Sequence, residues 1–266
     1  MTSKANFIEQ TLAIDFGNSR VKILYNNIFK SFRYTEKLSH DFQNFFKTKV
    51  KTPLRVLYSS VNPEQSTAII NFLNTLPNVY VYNTFDLIQR QKKINLFNYY
   101  WVGSDRILGL LGGLEEFAPP LITIDIGTAV TVNCLDSERN FIGGVIFPGP
   151  DTQVKALQEN TSLLKSIKLS KQDFGDIVEI STEGAITSGI INSIWGGLVF
   201  ILDEIRRVKF NEVVVPVVFT GGGFVHFKSR YQHWEYEKKF YRKNLVLSGI
   251  ISLARSERQY LIDFSQ

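Results

Sequence analysis

Apolar positions open the chain as a run of short strands. Leu12, Ala13 and Ile14 form a buried run closed by Asp15, and Arg20 to Tyr25 alternates as a return strand. Asn26-Asn27 reads as a two-residue hairpin turn leading into a third strand, Ile28 to Tyr34. The period then changes. Leu38, Phe42, Phe45 and Phe46 have helical spacing over 38–47, Arg55 to Ser60 returns to strand, and Pro63 suits the first turn of a helix reaching about Leu76. Val79 to Tyr82 is a short strand, with Thr84 placed to cap a brief helix. Gly103-Ser104-Asp105-Arg106 opens a helix from Ile107 to about Phe117, and Pro119-Pro120 ends it.

The second half repeats the plan. Strands are expected at 121–126, 130–135 and 141–147, helices near 152–165 and 182–207, and an apolar strand from Val213 to Thr220 that runs into Gly221-Gly222-Gly223. The aromatic and basic stretch 224–244 has no clear period, and 246–264 reads as a final amphipathic helix. Three opening strands followed by alternating helix and strand, twice over, predict an α/β protein of two similar domains. The prolines divide it into residues 1–118 and 119–266, and the final helix is free to pack back on the first domain.

Composition adds little beyond exclusions. With 44% hydrophobic and 21% charged residues the chain reads as an ordinary globular protein. The net charge of +5 is dispersed, and Lys47 to Lys51 and Lys238 to Lys243 read as solvated faces, so no nucleic-acid partner is expected. A single cysteine, Cys134, excludes an internal disulfide, and His40, His226 and His233 lack metal-ligand spacing. No signal-peptide run is evident and no stretch is expected to span a membrane, so a cytoplasmic location is expected.

The chemistry-bearing residues sit where strands end. At the first hairpin, Asp15, Gly17, Asn18, Ser19 and Lys22 gather an acid, turn-formers, a hydroxyl and an ammonium. Such a loop offers backbone N–H groups and a cation to phosphate, with the acid left for a metal ion. The same residues are also what a polar hairpin with Asx turns needs. The balance shifts because Leu121 to Thr131 repeats the design, with Asp125, Gly127 and Thr128 after an apolar strand. Two such units predict half-domains facing each other across a nucleotide. Asp105 near a helix N-terminus is either a cap or a general base, with Arg106 as an anion clamp. Thr182 either caps the next helix or contacts substrate.

Taken in order, these motifs resemble the type III pantothenate kinases. The resemblance rests on Asp15-Phe-Gly-Asn-Ser-x-x-Lys22, Gly103-x-Asp-Arg106, Asp125-x-Gly-Thr-Ala-x-Thr131, Gly143-Gly144 with Pro148-Gly149, Thr182-x-x-Ala-Ile-x-x-Gly189 and Thr220-Gly-Gly222. It runs from about residue 11 to about 250. The first loop is shared with the wider acetate and sugar kinase, heat-shock protein and actin superfamily, whereas Gly-x-Asp-Arg with Asp-x-Gly-Thr-Ala is much more specific to this family. The resemblance implies two duplicated ribonuclease-H-like (actin-like ATPase) domains with a cleft between them. It also implies ATP-dependent phosphorylation of pantothenate, the first step to coenzyme A, in a cytoplasmic homodimer.

By matching position, the resemblance gives Asp15, Phe16, Gly17, Asn18, Ser19, Arg20, Val21 and Lys22 the ATP phosphates, with magnesium near Asp15 and a further nucleotide contact from Thr128. Asp125 would hold a monovalent cation, potassium or ammonium. Gly103, Ser104, Asp105, Arg106 and Thr182 would bind pantothenate, with Asp105 accepting its hydroxyl proton. Two departures stand out. Ser19 replaces the family's usual Thr and keeps the hydroxyl. Leu96 stands where the family places a substrate-contacting Tyr, so Phe97, Tyr99 or Tyr100 is expected to substitute. The rival readings are a kinase of a sugar or another small alcohol, and a non-catalytic nucleotide-binding regulator.

Overall fold

The computed structural model describes residues 10–96, 102–169 and 177–256. In chain order the first elements are β1 (Thr11–Phe16), β2 (Arg20–Tyr25), β3 (Ile28–Arg33), α1 (Leu38–Lys49), β4 (Leu54–Ser60), α2 (Pro63–Asn74), β5 (Val79–Asn83), α3 (Thr84–Arg90) and α4 (Ser104–Gly113). They are followed by β6 (Leu121–Ile126), β7 (Ala129–Leu135), β8 (Phe141–Pro148), α5 (Pro150–Asn160), α6 (Thr182–Lys209), β9 (Val217–Thr220), α7 (Lys228–His233), β10 (Lys239–Tyr241) and α8 (Leu245–Ser256). A 3-10 turn, Gly222–Phe227, joins β9 to α7.

The chain divides into two compact units, one holding the residues up to Glu116 and those from Asn244, the other Phe117–Lys243. Each is built on a five-stranded sheet. The first has the order β3-β2-β1-β4-β5 and the second β10-β9-β6-β7-β8. Read from the outer hairpin strand inward, the two orders are the same. In each, the first strand pairs antiparallel with the second and parallel with the fourth. The duplicated strand plan expected from the sequence is thus the observed one.

The central strand of each sheet is apolar on both faces because both faces are covered. Leu12, Ala13, Ile14 and Phe16 of β1 are fully buried, as are Leu121, Ile124 and Ile126 of β6. In the first unit, Phe42 and Phe46 of α1 meet Phe72 of α2 edge-on, at centroid separations of 6.5 and 5.9 Å. Asn26 and Asn27 both adopt positive φ, as a type I′ hairpin turn requires. α4 and α8 come close enough for backbone contact: a Cβ on Gly249 would lie 1.9 Å from the Leu108 carbonyl oxygen, and one on Gly112 would lie 2.1 Å from that of Leu245. This contact is why α8, which follows the second unit in sequence, belongs to the first.

Several element boundaries differ from expectation for identifiable reasons. The strand expected at 213–220 begins only at Val217, because Pro216 has no N–H to donate to a ladder and serves only as the acceptor for Ile122 N–H. α4 starts at Ser104, so Asp105 lies inside its first turn rather than ahead of it, and the helix ends at Gly113. The caps of α3 and α6 are Asn83 and Ser181, whose side chains accept from Phe85 N–H and Gly184 N–H; Thr84 and Thr182 are the first helical residues instead. α5 ends at Asn160, short of 165. The final helix is described only to Ser256, and the rest of 246–264 lies outside the described residues.

Contrary to expectation, among the described residues one helix, α6, is long and apolar enough to cross a membrane by length and composition. Its Ile190, Ile191, Ile194, Leu198 and Leu202 form part of the second unit's core, which accounts for the apolar run without a membrane.

Candidate active site

In the first unit the β1–β2 hairpin brings Asp15 and Lys22 into register, and Lys22 Nζ lies 3.4 Å from Asp15 Oδ2. The loop between them is closed by Gly17 N–H donating to the Arg20 carbonyl at 3.1 Å. Asn18, Ser19 and Arg20 are exposed at its tip, whereas Phe16 and Val21 turn their side chains into the core. Phe16 and Val21 are therefore left only backbone groups to offer a ligand. Tyr34, just beyond β3, donates its hydroxyl to the Gly17 carbonyl at 2.7 Å and so braces the loop from behind. Burial, with the charge of Asp15, pushes the Tyr34 phenol up to about 12, so it remains a donor at neutral pH.

The same unit presents the start of α4. Gly103 precedes the helix without a side-chain cap, and Arg106 N–H donates to its carbonyl at 3.1 Å. The Asp105 carboxylate folds over Gly103: a Cβ there would lie 2.6 Å from Asp105 Oδ1. Ser104 Oγ is 2.7 Å from Ser59 Oγ at the end of β4. Burial raises the Asp105 pKa, opposed by the Arg106 backbone N–H and the charges of Arg106 and Lys22. Burial likewise raises that of Asp15, opposed by Lys22 and reinforced by repulsion from Asp105. Two acids and Lys22 thus share one electrostatic neighbourhood, with Arg106 adjoining Asp105. Desolvation outweighs the lowering influence of these neighbours on Asp105.

The second unit carries the matching loop after β6. Gly127 N–H donates to the Ala129 carbonyl at 2.9 Å. The Thr128 carbonyl accepts from Gly149 N–H at 2.9 Å and from Thr152 Oγ1 at 2.5 Å, so the entrance to α5 locks this loop. Gly149 has no alternative, since a Cβ there would lie 2.0 Å from the Gly127 carbonyl oxygen. Asp125 is flanked in register by Thr131 and Thr220. Gly221 lies against it with φ of 98°, and a Cβ there would fall 2.4 Å from Asp125 Oδ1 and 2.3 Å from the Ile126 carbonyl oxygen. The glycine therefore preserves a small oxygen-lined cradle at the strand end. A carboxylate with neighbouring carbonyls and hydroxyls offers the oxygen donors that hard cations take.

Among the described residues, no three Asp, Glu, His or Cys side chains gather as a metal cluster. Thr182 is exposed at the first turn of α6. Phe97, Tyr99 and Tyr100 lie outside the described residues. Residues that sequence reading missed are Tyr34, Ser59, Thr152 and Tyr241. Burial, with a smaller contribution from the Asp125 charge, raises the phenol pKa of Tyr241 on β10.

The model of the type III pantothenate kinase family matches residues 11–203 of this chain. The chain belongs to the type III pantothenate kinase family. Consistent with this, it is 31% identical over 227 residues to the type III pantothenate kinase of Sulfurihydrogenibium sp., covering 79% of this chain and 87% of the relative. Among solved structures it is similar to a conserved candidate Baf family transcriptional activator from Campylobacter jejuni (TM-score 0.58, 19% identity, covering 93% and 98% of the two chains). It is also similar to MreB5 of Spiroplasma citri bound to ADP (TM-score 0.52, 10% identity, covering 96% and 98%). At those identities the structural likenesses establish the actin-like fold alone.

Proposed function

We propose that this chain transfers the γ-phosphoryl group of ATP to the primary hydroxyl of pantothenate, giving 4′-phosphopantothenate and ADP. The observation that carries the reading is the placement of Asp105 beside the Asp15–Lys22 pair, in a unit whose family is established. Phosphoryl transfer asks a protein mainly for positioning and charge. Lys22 and the backbone N–H groups of 15–22 neutralise and orient the phosphates. Magnesium bound with ATP would draw charge from the phosphates, and Asp15 would hold it. Arg106 offers a planar fork to the substrate carboxylate. The pantothenate oxygen forms the new bond to the γ-phosphorus as the bond to the β–γ bridging oxygen breaks, leaving its electron pair on ADP. Asp105 takes the hydroxyl proton.

Thr128 adds a nucleotide contact, and Thr182 and one of Phe97, Tyr99 and Tyr100 complete the pantothenate site. The enzyme works in the cytoplasm, with no nucleic-acid or membrane partner. ADP release, followed with pantothenate and with a panel of sugars and small alcohols, tests the assignment: turnover confined to pantothenate supports it, and turnover of a sugar alone rejects it.

Asp125 holds potassium or ammonium in this reading, in the cradle that Gly221 leaves open. Activity is expected to depend on potassium, and Asp125→Ala to lose that dependence with most of the rate. Equal rates in sodium-only and potassium buffers count against the site. The protein acts as a homodimer. The support is the outer face of α6, where Ala185, Gly189, Ser193 and Phe200 are exposed on an otherwise core-forming helix. Light scattering at micromolar protein is expected to give about twice the chain mass of 30.4 kDa. A mass of one chain rejects the dimer.

A further inference from the structure

The Ser59–Ser60 pair at the end of β4 serves two helices at once, because successive strand residues point to opposite faces. Ser60 Oγ donates to Ser66 Oγ at 3.2 Å and accepts from Asn62 N–H, serving the start of α2. Ser59 faces the other way. It stands opposite Asp15 in the β1–β4 register, so both side chains lie on the same face of the sheet. It is 1% exposed, and its hydroxyl lies 2.7 Å from that of Ser104, the residue before Asp105. α4 has no side-chain cap of its own. A side-chain tie therefore joins the first turn of α4 to the strand pair that carries Asp15.

We propose that Ser59 is a positioning residue for phosphoryl transfer: through Ser104 it fixes the start of α4, and hence Asp105, relative to Asp15. Ser59 is too buried to touch substrate. The inference rests on the reading of Asp105 as proton acceptor. A misplacement of about 1 Å at a reacting group costs up to roughly a hundredfold in rate, so the loss of one of several anchors is expected to cost about tenfold.

The test is steady-state kinetics of Ser59→Ala, with Ser59→Cys as a variant of closer volume should the first fold poorly. Either is expected to lower kcat about tenfold while KM for ATP stays within about twofold. Introduced into Asp105→Asn, Ser59→Ala is expected to cause no further loss, since the group it positions is already gone. A folded variant with wild-type kcat overturns the proposal, and so does a full tenfold loss on top of Asp105→Asn. These outcomes are separate from the function itself. If the wild type fails to phosphorylate pantothenate, the assignment falls; if it succeeds and the Ser59 variants match it, only the role of Ser59 falls.

Discussion

Asp105→Asn is expected to abolish most turnover while leaving the fold intact. Removing a general base costs about 10²–10⁴-fold in rate, or roughly 3–5 kcal/mol of barrier. Asparagine keeps the size of the side chain and an oxygen to accept from the backbone, so only the base is lost. The pH dependence follows from the raised pKa. Asp105 accepts a proton only when ionised, so kcat/KM falls as pH drops through a value above the ordinary carboxylate range, and the variant loses that limb. Stability has the opposite sign to that of a salt-bridged acid. The folded state binds this proton more tightly than the unfolded chain, so the contribution is lost as pH rises from the unfolded towards the folded pKa. At neutral pH Asp105→Asn is therefore expected to melt no lower than the wild type. Kinetics beside thermal melting check both halves. A variant that melts several degrees lower and keeps most of its kcat makes Asp105 a helix cap, with the base elsewhere.

The second large effect is structural. At Gly249 a Cβ would meet the Leu108 carbonyl at 1.9 Å, its carbon at 2.6 Å and its Cα at 3.0 Å, all backbone atoms that cannot rotate away. Gly249→Val is expected to force α8 from α4 at a cost above about 3 kcal/mol, in the range reserved for core overpacking and backbone clashes. For a unit of this size that lowers the melting temperature by roughly 6–12 °C. Because α4 carries Asp105, activity is expected to fall with it. Gly197→Ala is the control, since nothing lies within 4 Å of a Cβ there and alanine favours a helix interior. Thermal melting of the two variants separates a packing requirement from a general intolerance of glycine replacement.

Much of the fold was legible in the sequence because its information is local. The strands of both sheets announce themselves as short apolar runs broken by Asn26-Asn27, Gly127-Thr128 and Pro148-Gly149, and the repeat of three such strands in each half sets the class. The Asp15–Lys22 pair follows from the hairpin register, since residues directly opposite each other in an antiparallel pair put their side chains on one face. What escaped depends on contacts distant in sequence. The final helix was expected to be free to pack back on the first domain, but the contact that holds it there, through Gly112 and Gly249, appears only when the helices meet. Residues 224–244 had no readable period because their order comes from aromatic packing, with Tyr241 stacked on Phe224 at 4.3 Å, rather than from an amphipathic stripe. In the site, Tyr34 and Ser59 were passed over because a tyrosine and a serine at strand ends carry no pattern. Their roles lie in what they reach, Gly17 and Ser104. The upward shift of Asp105 was equally invisible, since burial of an acid one residue into a helix cannot be read from its place beside Arg106.

The most direct measurement is product identification by ³¹P NMR after incubating the purified protein with ATP, magnesium, potassium and pantothenate, with Asp105→Asn run in parallel. The account predicts one new phosphomonoester signal, that of 4′-phosphopantothenate, growing in step with ADP in the wild type and nearly absent in the variant. ADP accompanied only by inorganic phosphate, or an unchanged ATP spectrum beside an active control kinase, would contradict it.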